Sequence, residues 1–184
     1  MEVAVNNPFV DAFLARGPHP SLGAHADTYG RLIGSWVGEV RVHPIDSPVV
    51  TTSAEIHFAW ALDGRAVQDV WITPSRPDRA SGKSVSPELY GTGLYGTTLR
   101  VFNPQSESWR VVWWDPPSGA RTELEGRNVG GDIVQFGMRD GRPIRWTFSE
   151  IRADSFLWQG HILEADGVSW RLQGEFRVRR SNAP

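Results

Sequence analysis

From Ser35 onward, apolar and polar residues alternate with a period of two, and this alternation constrains the fold more than any other feature. Such a period places successive side chains on opposite faces of a β-strand. Turn residues separate the alternating runs, and the Asp-Gly pairs among them are typical of β-hairpins. The sequence therefore predicts ten strands, at residues 36–43, 52–62, 66–73, 92–103, 109–115, 119–127, 132–139, 143–151, 156–164 and 168–179.

No helical pattern of any length lies between these runs, so a parallel β-α-β architecture is not expected. Consecutive hairpins favour an antiparallel up-and-down sheet. Ten strands without obvious edge protection favour closure of that sheet into a barrel. We therefore predict an all-β protein, with a ten-stranded antiparallel barrel over residues 35–180.

The remaining segments complete one domain that spans residues 1–184. Asn7-Pro8 predicts a helix start, and a second short helix is expected at 26–33, so residues 1–34 form a helical segment that closes the barrel. The only long connection runs from 74 to 90 and is rich in Pro, Gly and Ser. Connections of that length are often lids over a site or disordered loops, and both alternatives stay open here.

Composition excludes several classes of function. The chain has no cysteine, which excludes disulfides, thiolate nucleophiles and cysteine-ligated metals. Its formal charge of −2 gives no reason to expect a nucleic acid or a membrane as partner. There is no signal-peptide pattern and no run of eighteen apolar residues, so a cytoplasmic location is expected.

The tryptophan content, nine residues, is the one extreme value in the composition. Alternation sends most of them, with several phenylalanines, to one face of the sheet, and in the last strand it predicts that Trp170 and Phe176 face inward. A ten-stranded barrel is wider than side chains can readily fill, so we expect an aromatic cavity for a small molecule. The residues predicted to line it are Phe58, Trp60, Trp71, Thr98, Trp113, Thr122, Phe136, Trp146, Phe148 and Trp158.

Three charged residues are candidates for chemistry inside this cavity. Glu150 shares a predicted face with Phe148, and a carboxyl group in an apolar interior suits general acid–base work. The alternative is that Glu150 lies at the strand end, at the barrel mouth, and is fully solvated. Asp69 is a second candidate acid if Val67, Asp69 and Trp71 face inward. In the opposite register Gln68 is the interior polar group. Arg100 could stabilise an anion or pair with an interior carboxylate.

The motif Gly34-Ser35-Trp36, at the start of the first strand and after a short helix, resembles the calycin superfamily of lipocalin-like and nitrobindin-like barrels. In that family the Trp plugs the closed end and stacks on an Arg of the last strand, which the resemblance assigns to Arg177 or Arg179. With residues 62–65 and 112–115, the motif is most similar to lipocalin-like proteins of bacteria. The resemblance supports the fold and implies neither binding nor catalysis alone.

No cofactor is expected. Nitrobindin-like proteins hold haem through a His near the end of the barrel, and residues 168–179 contain none. Gly91-Thr-Gly93-Leu-Tyr-Gly96 matches a dinucleotide motif, but β-branched residues follow it where that motif needs a helix. The five histidines show no metal-ligand spacing, so we predict no metal site.

Three functions remain open at this stage. The first is binding of a small apolar or aromatic molecule in the barrel. The second is a cofactor-independent lyase, isomerase or cyclase acting on an apolar substrate through Glu150, Asp69 and Arg100. The third is a packed structural or interaction domain. The sequence identifies neither the ligand nor the oligomeric state.

Overall fold

The computed structural model describes residues 7–82 and 93–181. Its helices are α1 (Pro8–Phe13), a 3-10 helix (Pro20–His25), α2 (Ala26–Gly30) and α3 (Arg76–Ala80). Its strands are β1 (Leu14–Ala15), β2 (Gly34–Val42), β3 (Val50–Ala61), β4 (Ala66–Thr73), β5 (Leu94–Asn103), β6 (Ser108–Asp115), β7 (Ala120–Val129), β8 (Asp132–Arg139), β9 (Arg142–Ser149), β10 (Ser155–Leu163) and β11 (Trp170–Arg180). The ten predicted strands are all present, as β2 to β11.

Strands β2 to β11 form a closed antiparallel barrel, which confirms the predicted fold class. Each strand pairs with the one that follows it in the chain, and β11 pairs with β2 to close the ring. The two-residue strand β1 pairs with the end of β3 beyond β2. Since neighbouring strands are sequential, the connections are short hairpins except between β4 and β5.

Two of the tight hairpins use the Asp-Gly pairs that the sequence singles out. Asp63 and Gly64 have φ values of 59° and 72°, and Asp140 and Gly141 have φ values of 52° and 74°. Positive φ at both central residues matches the right-handed twist of the flanking strands. Asp and especially Gly adopt this conformation at low cost, which is why the alternation breaks at these pairs.

Residues of the N-terminal segment pack against barrel residues at the end where β2 begins. Tyr29 and Leu32 are fully buried there. The ring of Tyr29 packs edge-on against Trp109 and Phe148, with centroids 5.1 and 6.4 Å away. The barrel interior is therefore filled by side chains at this end.

Trp36 is buried at the same end of the barrel, as the calycin resemblance implies, and its indole nitrogen donates to the Leu32 carbonyl at 2.7 Å. The assignment of its arginine partner to Arg177 or Arg179 is wrong. The guanidinium over the indole belongs to Arg180, 4.1 Å from the ring centroid. Arg180 is paired directly with Trp36 across β11 and β2, whereas Arg177 and Arg179 lie on the exposed outer face.

The segment 74–90 lies partly within the described residues. Residues 76–80 form α3, which packs on the outside of β3, where Arg76 pairs with Glu55 and Ser53 donates to Asp78 at 2.7 Å. Residues 83–90 fall outside the described residues, so the lid stays a prediction. In the part of the chain that the structure describes, no helix is both long and apolar enough to cross a lipid bilayer.

Candidate functional site

A cavity of about 400 Å³ occupies the half of the barrel away from Tyr29. Ser118 and Asp140, from turns at the opposite end, are among the residues that line it, so this end holds its mouth. Seven residues predicted to face a site line the cavity: Trp71, Thr98, Arg100, Trp113, Thr122, Trp146 and Trp158. A pocket of this size is in the range of small-molecule sites.

Four indoles form much of the cavity wall and contact one another in series. The ring centroids of Trp71 and Trp158 are 5.6 Å apart, those of Trp158 and Trp146 are 5.6 Å apart, and those of Trp146 and Trp113 are 6.3 Å apart. Their planes meet at 60° to 85°. Such tilted and edge-on contacts are favourable for aromatic rings and hold each indole in place.

Two glycines make room for these indoles. A Cβ at Gly96 would overlap the six-membered ring of Trp113, and a Cβ at Gly160 would lie 2.7 Å from the ring of Trp158. Gly96 is the last glycine of the dinucleotide-like motif. Its role in the described structure is close packing inside a strand, as expected for glycine in a barrel wall.

A buried ion pair lies at the floor of the cavity. Asp69 is 1% exposed and Arg100 is 2% exposed, and Arg100 Nη1 is 2.6 Å from Asp69 Oδ2. The backbone nitrogen of Thr98 donates to Asp69 Oδ1 at 2.6 Å. The register left open by the sequence is therefore the one in which Asp69 and Trp71 face inward.

Aromatic rings surround the guanidinium of Arg100, and a buried amide bonds to one of them. The Arg100 carbon Cζ lies 4.9 Å from the ring centroid of Tyr29 and 5.4 Å from that of Phe58. Gln135 donates to the Tyr29 hydroxyl at 2.7 Å. Burial raises the pKa of Tyr29, although the charge of Arg100 and the hydrogen bond from Gln135 act to lower it. This polar layer separates the cavity from the plugged end.

The mouth holds a second polar group. Asp115 is 4% exposed, and its Oδ2 accepts a hydrogen bond from Ser118, while its Oδ1 has no partner among residues 7–82 and 93–181. On another part of the wall, Arg139 donates to Gln173. Sequence reasoning missed Asp115 as a site residue, although its spacing from Trp113 in β6 places both on one face.

Three further predicted residues face the interior but lie below the cavity. Phe58, Trp60 and Phe148 belong to the buried core and are absent from the cavity lining. Trp60 contacts the N-terminal segment, since a Cβ at Gly30 would lie 3.0 Å from its ring. These side chains support the floor rather than the wall of the cavity.

The prediction that Phe136 and Trp170 face inward is wrong. Phe136 is 52% exposed, and its ring packs against Trp170 on the outer face, with centroids 6.3 Å apart. In β8 the inward residue is the adjacent Gln135. In β11 a bulge opposite Gly160–His161 inserts Gln173 as an extra residue and reverses the faces of the residues before it.

Glu150 does not face the interior either. Strand β9 ends at Ser149, and Glu150 is exposed with a φ of 51°, so the alternation does not extend to it. Its side chain borders a groove on the outside of the barrel. The enzymatic hypothesis therefore loses its main candidate acid, while Asp69 and Arg100 stay together.

The outer groove has a volume of about 1140 Å³ and runs between α3 and the turn after β9. Within it, His57 Nε2 is 2.7 Å from Glu55 Oε1 and His57 Nδ1 is 2.9 Å from the Ser35 hydroxyl. The backbone nitrogen of Arg76 also donates to Glu55, at 2.9 Å. Burial raises the pKa of Glu55, but hydrogen bonds from Arg76 and His57 outweigh it and lower this pKa to about 2.

These contacts hold α3 against the barrel wall.

Among the described residues, no group of three His, Asp or Glu side chains is arranged to hold a metal ion.

The fold is a closed ten-stranded antiparallel β-barrel, and its Trp36–Arg180 contact is similar to the one that the calycin resemblance implies. No protein-family model and no curated protein sequence matches this chain. Among solved structures, the S-type phycobiliprotein lyase CPES from Guillardia theta is similar, with a TM-score of 0.57 and 14% sequence identity. The match covers 86% of this chain and 93% of that chain. At this identity the likeness shows the fold alone.

Proposed function

We propose that this protein binds a small, largely apolar and aromatic molecule in the cavity of the barrel. The observation that carries the proposal is a series of four indoles around about 400 Å³ of open space. Large aromatic side chains around a concave space, with a few polar groups, are the usual composition of such a site. A packed structural domain would not need this space, which makes that alternative less favourable.

The polar groups of the cavity give the ligand an orientation. Asp115 lies at the mouth, and the Asp69–Arg100 pair lies at the floor. Trp71 adds an indole nitrogen that is buried and has no hydrogen-bond partner among the described residues. A ligand with polar atoms at its two ends and a flat apolar centre complements this arrangement.

A matched pair of tryptophans tests the proposal. Trp113 lines the cavity, whereas its neighbour Trp114 is 47% exposed on the outer face. Binding of naphthalene-sized aromatic compounds, neutral and charged, is measured by titration calorimetry. Trp113→Ala should weaken the tightest of them about tenfold, since loss of a central aromatic contact costs more than about 1 kcal/mol. Trp114→Ala should leave the affinity unchanged.

Native mass spectrometry of freshly purified protein supplies a second measurement. A defined extra mass, lost on denaturation, supports the proposal and gives the mass of the occupant. If no compound of the panel binds and no extra mass is found, or if both tryptophan variants behave alike, the proposal is wrong.

The second candidate function is a cofactor-independent lyase or isomerase in the same cavity. One observation favours it, the buried Asp69–Arg100 pair at the cavity floor. The similar solved structure is also named as a lyase. Under this alternative, Arg100 stabilises developing negative charge and Asp69 orients it. Asp69→Asn should then abolish turnover of the identified ligand while binding persists.

A further inference from the structure

The faces of the cavity indoles favour a positively charged ligand. An aromatic ring has negative potential over its face and attracts cations there, and tryptophan does so most strongly. Trp158 contacts both Trp71 and Trp146, at interplanar angles of 60° and 63°, so the three rings lie in different planes around the cavity.

Asp115 adds a formal negative charge at the same wall. It follows Trp113 by two residues in β6, so the two side chains share the inward face. Asp115 has no ion-pair partner among the described residues, and its buried Oδ1 accepts no hydrogen bond from them. A buried carboxylate oxygen without a partner is costly, and a cation in the cavity would supply one.

The remaining charges around the cavity do not favour an anion. The charge of Arg100 is balanced by Asp69 beneath it, although Arg100 Nε donates to no acceptor among the described residues. Arg139 is bonded to Gln173, and at the mouth its charge is outweighed by the carboxylates of Asp115 and Asp140. With Asp69 included, the charged side chains of the cavity and its mouth therefore comprise three carboxylates and two guanidinium groups.

We propose that the ligand of this cavity is an aromatic organic cation, a flat ring system with a quaternary or protonated nitrogen. Its positive charge is held by the indole faces and by Asp115, and its ring stacks within the tryptophan wall. This inference rests on the proposed function and specifies the chemical class of the ligand.

Three probes of nearly equal shape test the charge preference. They are N-methylquinolinium, its neutral isostere 1-methylnaphthalene and the anion 1-naphthoate, each titrated into the wild-type protein by calorimetry. We expect the cation to bind about tenfold more tightly than the neutral compound, since cation–π and charge contacts contribute about 1 kcal/mol or more. The anion should bind most weakly.

The outcomes separate this inference from the function on which it rests. Equal or tighter binding of 1-methylnaphthalene overturns the cation preference and leaves the binding function intact. Absence of binding by all three probes contradicts both.

Variants at two carboxylates identify the group that is responsible. Asp115→Asn preserves the acceptor for Ser118 but removes the charge, so the affinity for N-methylquinolinium should fall about tenfold while that for 1-methylnaphthalene stays within twofold. Glu107→Gln, at an exposed turn on the far end of the barrel and outside the cavity lining, serves as the control and should change neither affinity. An unchanged cation-to-neutral ratio in Asp115→Asn overturns the role of Asp115. The wild-type ratio remains a valid test if that variant does not fold.

Discussion

Arg180 lies over the indole of Trp36 and joins the last strand of the barrel to the first. Its Nη1 donates to the Ile33 carbonyl at 2.8 Å, and its Nε donates to the Ala153 carbonyl, also at 2.8 Å. Gly34 permits this arrangement because its φ is 126° and a Cβ there would overlap Arg180 Nη1. The Gly-x-Trp motif therefore has a direct physical reason: the glycine makes space for the arginine that covers the tryptophan.

Arg180→Ala should destabilise the protein by about 2–3 kcal/mol, because it removes a cation–π contact and two charge-assisted hydrogen bonds to backbone carbonyls. Urea unfolding at neutral pH measures the loss. Arg179→Ala, one residue away on the exposed outer face, is the control and should change the free energy of unfolding by less than about 0.5 kcal/mol. Equal effects of the two substitutions would contradict the role assigned to Arg180.

The Asp69–Arg100 pair should show strong coupling. Asp69→Asn leaves the Arg100 charge buried and uncompensated and should cost about 3–5 kcal/mol. The double variant Asp69→Asn/Arg100→Met should be less destabilised than the sum of the two single variants, since no unpaired charge remains. Denaturant unfolding of the four proteins completes the cycle, and additive losses would show that the pair is not coupled. The exposed pair Arg127–Glu125 offers a control cycle with a coupling below about 1 kcal/mol.

Glu55 should make stability depend on pH. The pKa of Glu55 is lowered to about 2 in the folded protein, so its contribution is present above the ordinary value near 4.5 and is lost as the pH falls toward 2. Glu55→Gln should therefore cost about 1–2 kcal/mol at pH 7, a modest value because Arg76 is exposed, and the difference should shrink as the pH falls from 5 to 3.

Chemical unfolding of both proteins at a series of pH values measures this difference. Glu150→Gln, at an exposed position beside the same groove, is the control. A difference between wild type and Glu55→Gln that stays constant with pH would be evidence against the ion-paired state of Glu55.

Gly96→Ala should displace the indole of Trp113, because the new methyl group would overlap that ring. We expect a loss of about 1–3 kcal/mol in stability, as for other overpacked sites, together with weaker binding in the cavity. Gly17→Ala is the matched control, since no atom lies within 4 Å of the position of its Cβ. Thermal unfolding and titration of the same aromatic probe measure both effects. A Gly96→Ala protein that binds normally would mean that Trp113 does not form the wall.

The strands and the barrel could be predicted from alternation because the apolar face and the turn residues agree along most of the chain. The faces of two strands could not. In β8 the outward residues Val134, Phe136 and Met138 are more apolar than the inward Gln135, which is accepted inside because it bonds to Tyr29. That partner comes from a distant segment, so the local pattern favours the wrong face.

The wrong orientations predicted for Trp170 and Glu150 arise from features that strand alternation cannot predict. The bulge at Gln173 inserts one residue and reverses the orientation of Trp170. Glu150 follows the end of β9 and adopts positive φ, where strand alternation no longer applies. The Asp69–Arg100 pair was accessible from the sequence, since both residues were candidates for the interior. Only the structure shows that they form the floor of the cavity.

The complete ring of hydrogen-bonded strands also restricts how this protein can associate. Each strand from β2 to β11 has a neighbour on both sides, so apart from the short β1 the described sheet offers no row of free backbone groups. A peptide or a second copy cannot add a strand to it, and edge-to-edge polymerisation has no template. Recognition through the described strands β2 to β11 must therefore use their outward side chains.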